Sequence, residues 1–518
     1  MKKNYVVAEA NKRANGSKLL STRATVEPFT YFTLKNKINR QYLLIGTVGI
    51  IVQFIIFKIL YPFPDYFSDS YTYISVAQNH APISFRPVGY SRFLAFLHNI
   101  FSSDNFVIWV QYLIFNAGAL YLFFTVRYFF NPNRLFANII FGFLLFNPAT
   151  WYVSNTLASD TVFIGLSFLF MGGLLWVINK PKWYSFVLPA ITVFLLFKTR
   201  FIALYYPIIP LFAFLISRQK PVHKLIGIAA CVLPVIMEAQ RIKKVTYEYT
   251  GTAVFSAFSS WMSANTALLI YPYCTVEKED FPTPESAEVN AIAKDYFKRT
   301  GTPHFETLTV YKYLWDKEAP PKAYMYQKWK QQGYVNYFDA WNSVAPELSD
   351  FSSVIIKKNP DVFLKHFLLP NAKQYLAPDL ESLAIYNTGK DSVDKTAADW
   401  FGYKSLKMRA VDKNIQASLL KPISWLFGII NIIFVIALVL FFARRKKMKL
   451  PAVLLHSVLL VTFFWGINLA SSVYAAPIIF RFQLFPMYLY ATFTLVLMSY
   501  LKPIYSKTFN IKFATKAA

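Results

Sequence analysis

The feature that most constrains this chain is a repeated alternation: apolar runs of roughly 17–25 residues, each long enough to cross hydrocarbon as a helix, joined by short basic links. Ten runs are predicted as spans, at about 41–60, 106–130, 135–151, 160–178, 183–198, 201–217, 223–240, 423–443, 451–470 and 484–501. Charged residues make up only 16% of the chain, against the ~25% usual in soluble domains. The fold class that follows is a polytopic α-helical membrane protein.

The formal charge of +27 is unevenly spread. Residues 241–420 carry 22 of the 54 basic and 20 of the 27 acidic residues, so that stretch is nearly neutral. The excess of cations sits in the tails and in the links 131–134, 179–182, 217–224 and 444–449. Basic short links mark the cytoplasmic face of a membrane protein. A nucleic-acid binder of equal charge would gather it on one surface, so nucleic acid is not an expected partner.

The organisation expected is a basic cytoplasmic tail over 1–40, a seven-span module over 41–240 and an extracytoplasmic, mainly helical domain over 241–420. Three spans over 421–501 and a cytoplasmic tail over 502–518 complete it. Some forty polar, basic residues precede the first apolar run, so that run reads as a retained anchor rather than a cleavable signal. Cys231 and Cys274 are the only cysteines, which leaves no disulfide framework and no zinc site.

Seven acids lie outside 241–420: Glu9, Glu27, Asp65, Asp69, Asp104, Asp160 and Glu238. In this topology the last five fall at the outer ends of spans and none at mid-membrane. Coupled carriers keep acids near the midplane, so the pattern argues against one. Arg86, Arg92, Lys198, Arg200 and Arg481 share that outer layer against the positive-inside trend. Guanidinium groups there suit a phosphate at headgroup depth, or more simply snorkel to ordinary lipid phosphate. The outer loop 61–105 reads as the site of a catalytic base and part of a substrate cradle. Asp69, Tyr73 and Ala77, four residues apart, share one helical face. The plainer reading makes Asp69 a helix cap and Asp104 another.

Two segments of that loop, Asp69-Ser-Tyr-Thr-Tyr73-Ile-Ser-Val-Ala77 and Arg86-Pro-Val-Gly-Tyr90, resemble the first outer loop of the GT-C glycosyltransferases. These membrane enzymes, among them protein O-mannosyltransferases and the aminoarabinose transferase of lipid A, take sugar from polyprenyl-phosphate carriers. Many carry Asp-Glu-x-x-Tyr-x-x-x-Ala and then an Arg/Lys-Pro-Pro-x-Tyr-like segment. Asp160, Lys198-Thr199-Arg200 and Arg481-Phe482 with Pro486 are similar to later family landmarks. Ser70 stands for the second acid of the family's pair and Val88 for its second proline. The resemblance covers the membrane half and not 241–420.

It implies transfer of a sugar from a polyprenyl-phosphate carrier to an extracytoplasmic protein, lipid or polysaccharide, with inversion. Asp69 would be the general base and Asp160 would orient donor or acceptor. Arg86, Tyr73, Tyr90, Lys198, Arg200 and Arg481 would hold the donor's phosphate and sugar. No cofactor is expected; a divalent metal stays an open alternative that Ser70, in place of the second acid, does not support. Membrane lipids would be the surroundings, in a bacterial cytoplasmic membrane with the site facing out. A flippase or carrier for a lipid-linked glycan is the competing reading.

Overall fold

The computed structural model describes residues 27–302, 307–309, 312–448 and 450–514; most of the expected N-terminal tail, residues 1–26, lies outside them, as do 515–518. Among the described residues the architecture is helical, with only isolated β-bridges. In chain order the helices are α1 (Phe29–Lys35), α2 (Lys37–Leu60), α3 (Ser68–Gln78), α4 (Gly89–Ile100), α5 (Asp104–Phe130), α6 (Arg134–Leu145) and α7 (Pro148–Asn155). Then come α8 (Asp160–Asn179), α9 (Val187–Thr199), α10 (Ile208–Ile216), α11 (Pro221–Thr250), α12 (Ala257–Ile270) and α13 (Pro284–Thr300). Next are α14 (Pro320–Gln332), α15 (Tyr337–Ser343), α16 (Ala345–Lys358), α17 (Leu369–Leu376), α18 (Lys395–Phe401), α19 (Ile415–Met448), α20 (Ala452–Ala475) and α21 (Phe480–Ala514).

Eight stretches are long and apolar enough to cross a membrane: α2, α5, α6 with α7, α8, α11, α19, α20 and the first part of α21. The chain is a membrane-embedded helical protein. The fifth and sixth expected spans are shorter apolar helices, because Arg200 leaves the helix in extended backbone and a tight turn at Phe201–Tyr205 follows. Several expected boundaries shift. Helix already forms at Phe29, within the stretch expected as an N-terminal tail. The seventh span continues unbroken to Thr250, where Gly251 takes the left-handed conformation that ends helices. Helix also persists to Ala514, through most of the expected C-terminal tail.

Close helix approach depends on missing side chains. A Cβ on Gly165 of α8 would lie 2.7 Å from the Ile114 carbonyl oxygen of α5. With van der Waals packing as the main drive between helices in lipid, small residues at such crossings gain the most contact.

The bundle has two chemically distinct ends. At one, the Lys180 ammonium donates to the Tyr128 hydroxyl (2.7 Å), Asn133 N–H to Ser499 Oγ (3.0 Å) and Asn179 Nδ2 to Ser457 Oγ (2.8 Å). The basic links 131–134 and 179–182 therefore meet there. At the other, Asp65 N–H donates to the Asn155 carbonyl and Leu157 N–H to that of Asp65, while the Tyr403 hydroxyl donates to Asp104 (2.6 Å). Asp104 is the first helical residue of α5, after Ser103 at the cap position, and its carboxylate anchors Tyr403 rather than only closing the helix.

The polar stretch 241–420 contributes to two cores. Residues from Ala257 to Phe367 build a separate one around Trp261, Trp341 and Phe351. Tyr375, Leu380, Leu383, Tyr386 and Ala397 belong instead to the core of the bundle. The part of the stretch from Tyr375 to Met408 thus packs onto the bundle. The opening loop packs against the separate core, which stands outside the bundle as an outer core, through Phe85, edge-on to Trp341 and Phe338, and through Arg86 over the Phe258 ring.

Candidate active site

Asp69 lies in the first turn of α3, where free N–H groups and the helix dipole favour a carboxylate. It does not cap that helix; the cap position is Phe67, whose N–H is met by the Ser70 hydroxyl. Ser70, at the place of the family's second acid, is thereby committed to the backbone. Asp69 faces two cations, accepting from Arg86 Nη2 at 2.6 Å and meeting Arg481 Nη1 at 3.5 Å.

Arg481 is the hub. It is 7% exposed and sits at the start of α21, with Nη1 also 3.4 Å from Asp160 and Nε 3.2 Å from Glu381. The rings of Phe67 and Phe482 lie 4.8 and 5.0 Å from its guanidinium carbon. Asp160, at the N-terminus of α8, pairs in turn with Arg200, whose guanidinium lies 4.2 Å from the Phe482 ring. Three carboxylates and three guanidiniums thus form one network, neutral overall and largely out of water. Pairing is what makes such burial tolerable, since removing one partner of a buried ion pair costs ~3–5 kcal/mol.

One edge of the network opens on a cavity of about 1160 Å³, lined among others by Asp69, Tyr71, Arg86, Glu381, Lys390 and Arg481. Its far wall comes from the outer core, including Ser259, Thr266 and Trp315. Among the described residues no group of three His, Cys, Asp or Glu side chains is disposed to hold a metal ion.

The other residues expected at the site lie behind this wall. Asp160 and Arg200 face a water-sized void beside Arg481, so they act on the cavity through that arginine. Tyr73 is buried and shares a hydrogen bond with the Ser159 hydroxyl (3.0 Å), next to Asp160. The Tyr90 hydroxyl donates to Gln111 (2.8 Å), whose amide donates to the carbonyls of Ser154 and Thr156. Both tyrosines brace the opening loop against the turn before α8. Lys198 reaches the Glu238 carboxylate at 2.9 Å, which Arg241 also holds, and so is spent within the scaffold. Arg92 folds back on the carbonyls of His80 and Ala81.

Glu381 was not foreseen. It is one acid among the many of 241–420, and nothing local in the sequence distinguishes it. Its backbone is the signal, visible only in three dimensions: φ is +52°, and Asn387 and Thr388 nearby are also left-handed. Such conformations cost ~1–3 kcal/mol each in non-glycine residues and gather at functional sites.

No family model matches the chain, and neither does any curated protein or solved structure. The chemistry of the site rests on its own residues.

Proposed function

We propose that this protein is a membrane glycosyltransferase that moves a sugar from a polyprenyl-phosphate carrier to an acceptor hydroxyl on the extracytoplasmic side. The observation that carries the reading is Asp69, a carboxylate on the wall of a large cavity between two guanidiniums that line the same wall. A phosphate bound there would be met by Arg86 and Arg481, in charge-assisted hydrogen bonds that strengthen as the leaving group gains charge.

The acceptor oxygen attacks the anomeric carbon from the face opposite the phosphate. The new carbon–oxygen bond forms as the carbon–oxygen bond to phosphate breaks, and the electron pair leaves with the polyprenyl phosphate. Asp69 takes the proton of the acceptor hydroxyl. Phosphate drawing on Arg86 and Arg481 loosens their hold on Asp69, leaving its carboxylate free to act as the base. Asp160 and Glu381 keep the Arg481 guanidinium aimed while this exchange takes place.

Asp69→Asn tests the reading, with purified protein supplied with lipid-linked sugar and acceptor. Loss of a general base is expected to lower kcat ~10²–10⁴-fold while the donor KM changes little. Normal turnover in a folded Asp69→Asn protein would end the assignment. Asp65→Asn, in a position with no cation beside it among the described residues, is the control and should turn over normally.

A further inference from the structure

The cavity has a second wall that the transfer chemistry leaves unused. Trp315 stands on it, in the turn before α14, with 46% of its surface open. Its indole stacks on Trp341 at 5.4 Å between centroids, and Trp341 stacks on Trp261 at 3.7 Å and 8° between planes. The Lys322 ammonium lies 4.3 Å from the Trp341 ring centre, 4.7 Å from Tyr337, 5.0 Å from Trp261 and 5.2 Å from Trp315, and donates to the Tyr337 hydroxyl. Lys322 has no carboxylate partner among the described residues, and burial pulls its ammonium down to about 8. A stack clamped in this way holds the outermost ring rigidly toward the cavity.

Beside it α12 turns a hydroxyl stripe to the same space: Ser259, Ser263 and Thr266, at i, i+4 and i+7, all line the cavity. Thr266 is 2% exposed, and its hydroxyl has no hydrogen-bond partner among the described residues. That hydroxyl is sealed beneath the wall, so Ser259 and Ser263, which are open to the cavity, are the hydroxyls a ligand there would meet. A flat apolar ring beside a row of hydroxyls suits a pyranose, which offers C–H bonds on one face and hydroxyls around its rim.

We propose that this wall is a saccharide subsite, in which Trp315 stacks on a pyranose ring of a glycan acceptor and Ser259 and Ser263 bind its hydroxyls. The proposal rests on the transferase reading, which it deepens by making the acceptor a glycan. At about 1160 Å³ the cavity exceeds the ~300–1,000 Å³ of ordinary small-molecule sites, so it has room for donor and acceptor sugars together. The arginines belong to the bundle wall and Trp315 to the outer wall, which separates the two sugars.

The test uses the full-length protein in detergent with methyl glycosides of glucose, galactose, mannose and N-acetylglucosamine, followed by saturation-transfer NMR and tryptophan fluorescence. At least one glycoside should bind, and Trp315→Ala should weaken it by about tenfold or more, the scale of a lost aromatic stacking surface. Trp315→Phe should recover part of the affinity. Thermal unfolding of each variant identifies those that fold. No binding by the wild type, or equal binding by a folded Trp315→Ala protein, would overturn the subsite. Transfer is read separately: a protein that binds through Trp315 but forms no product keeps the subsite and loses the transferase reading. One that transfers with unchanged acceptor KM in Trp315→Ala does the opposite.

Discussion

Asp65 and Asp69 are four residues apart, and their surroundings give them different work. Asp65 is 2% exposed and meets no cation among the described residues; Oδ1 accepts from the Asn387 N–H at 2.8 Å and Oδ2 from Gln416 at 3.4 Å. Burial pushes its carboxyl up to about 7. An unfolded carboxylate titrates near ~3.9, so between about pH 4 and 7 the folded protein holds a proton that the unfolded chain has lost. Stability from this group therefore declines as pH rises through that window, and the cost of the buried charge is complete above it. Asp65→Asn removes the titration, and the Gln416 carbonyl, unpartnered among the described residues, could accept from the new amide. The variant should lose less thermal stability than wild type between pH 5 and pH 8. Parallel melting curves for the two proteins would contradict this account of Asp65.

At the scale of elements, the opening loop owes its position to contacts at both ends of its second motif. Phe85 enters the outer core, while Gly89 begins α4 directly against the backbone of Lys198 at the end of α9. A Cβ at Gly89 would collide with the Lys198 carbonyl, which is backbone and cannot swing aside. Between these two anchors lies Arg86, paired with Asp69. Gly89→Ala should separate α4 from α9 and cost about 1–3 kcal/mol, as overpacking does. Measured by thermal unfolding in detergent, it should melt below wild type, and Arg86 should hold donor less well. A variant with unchanged melting would show that α4 can move aside freely.

For the whole molecule, the meeting of the basic links 131–134 and 179–182 at one end of the bundle puts those two links on one side. The basic end is expected in the cytoplasm and the cavity outside, because short basic links are retained on the cytoplasmic face. With Cys231 and Cys274 replaced by Ser, cysteine at Val335, which is 90% exposed on the outer core, should react with an impermeant maleimide in intact cells. Cysteine at Lys446, after the spanning part of α19, should react only once the membrane is opened. The reverse pattern would invert the topology.

The membrane-embedded helical class and eight of the ten expected apolar stretches were legible in the sequence, because hydrocarbon thickness acts on local runs of residues. The same logic singled out Asp69, Asp160, Arg200 and Arg481 as polar groups in apolar surroundings, and the structure brings these four together with Arg86. Tertiary structure alone decided how they are connected. Arg481 meets Asp69 across 412 positions, Asp160 across 321 and Glu381 across 100, separations over which no periodicity carries information. It likewise turned Lys198 toward Glu238 and divided 241–420 between two cores, since a buried charge pairs with whichever opposite charge the packing brings within reach.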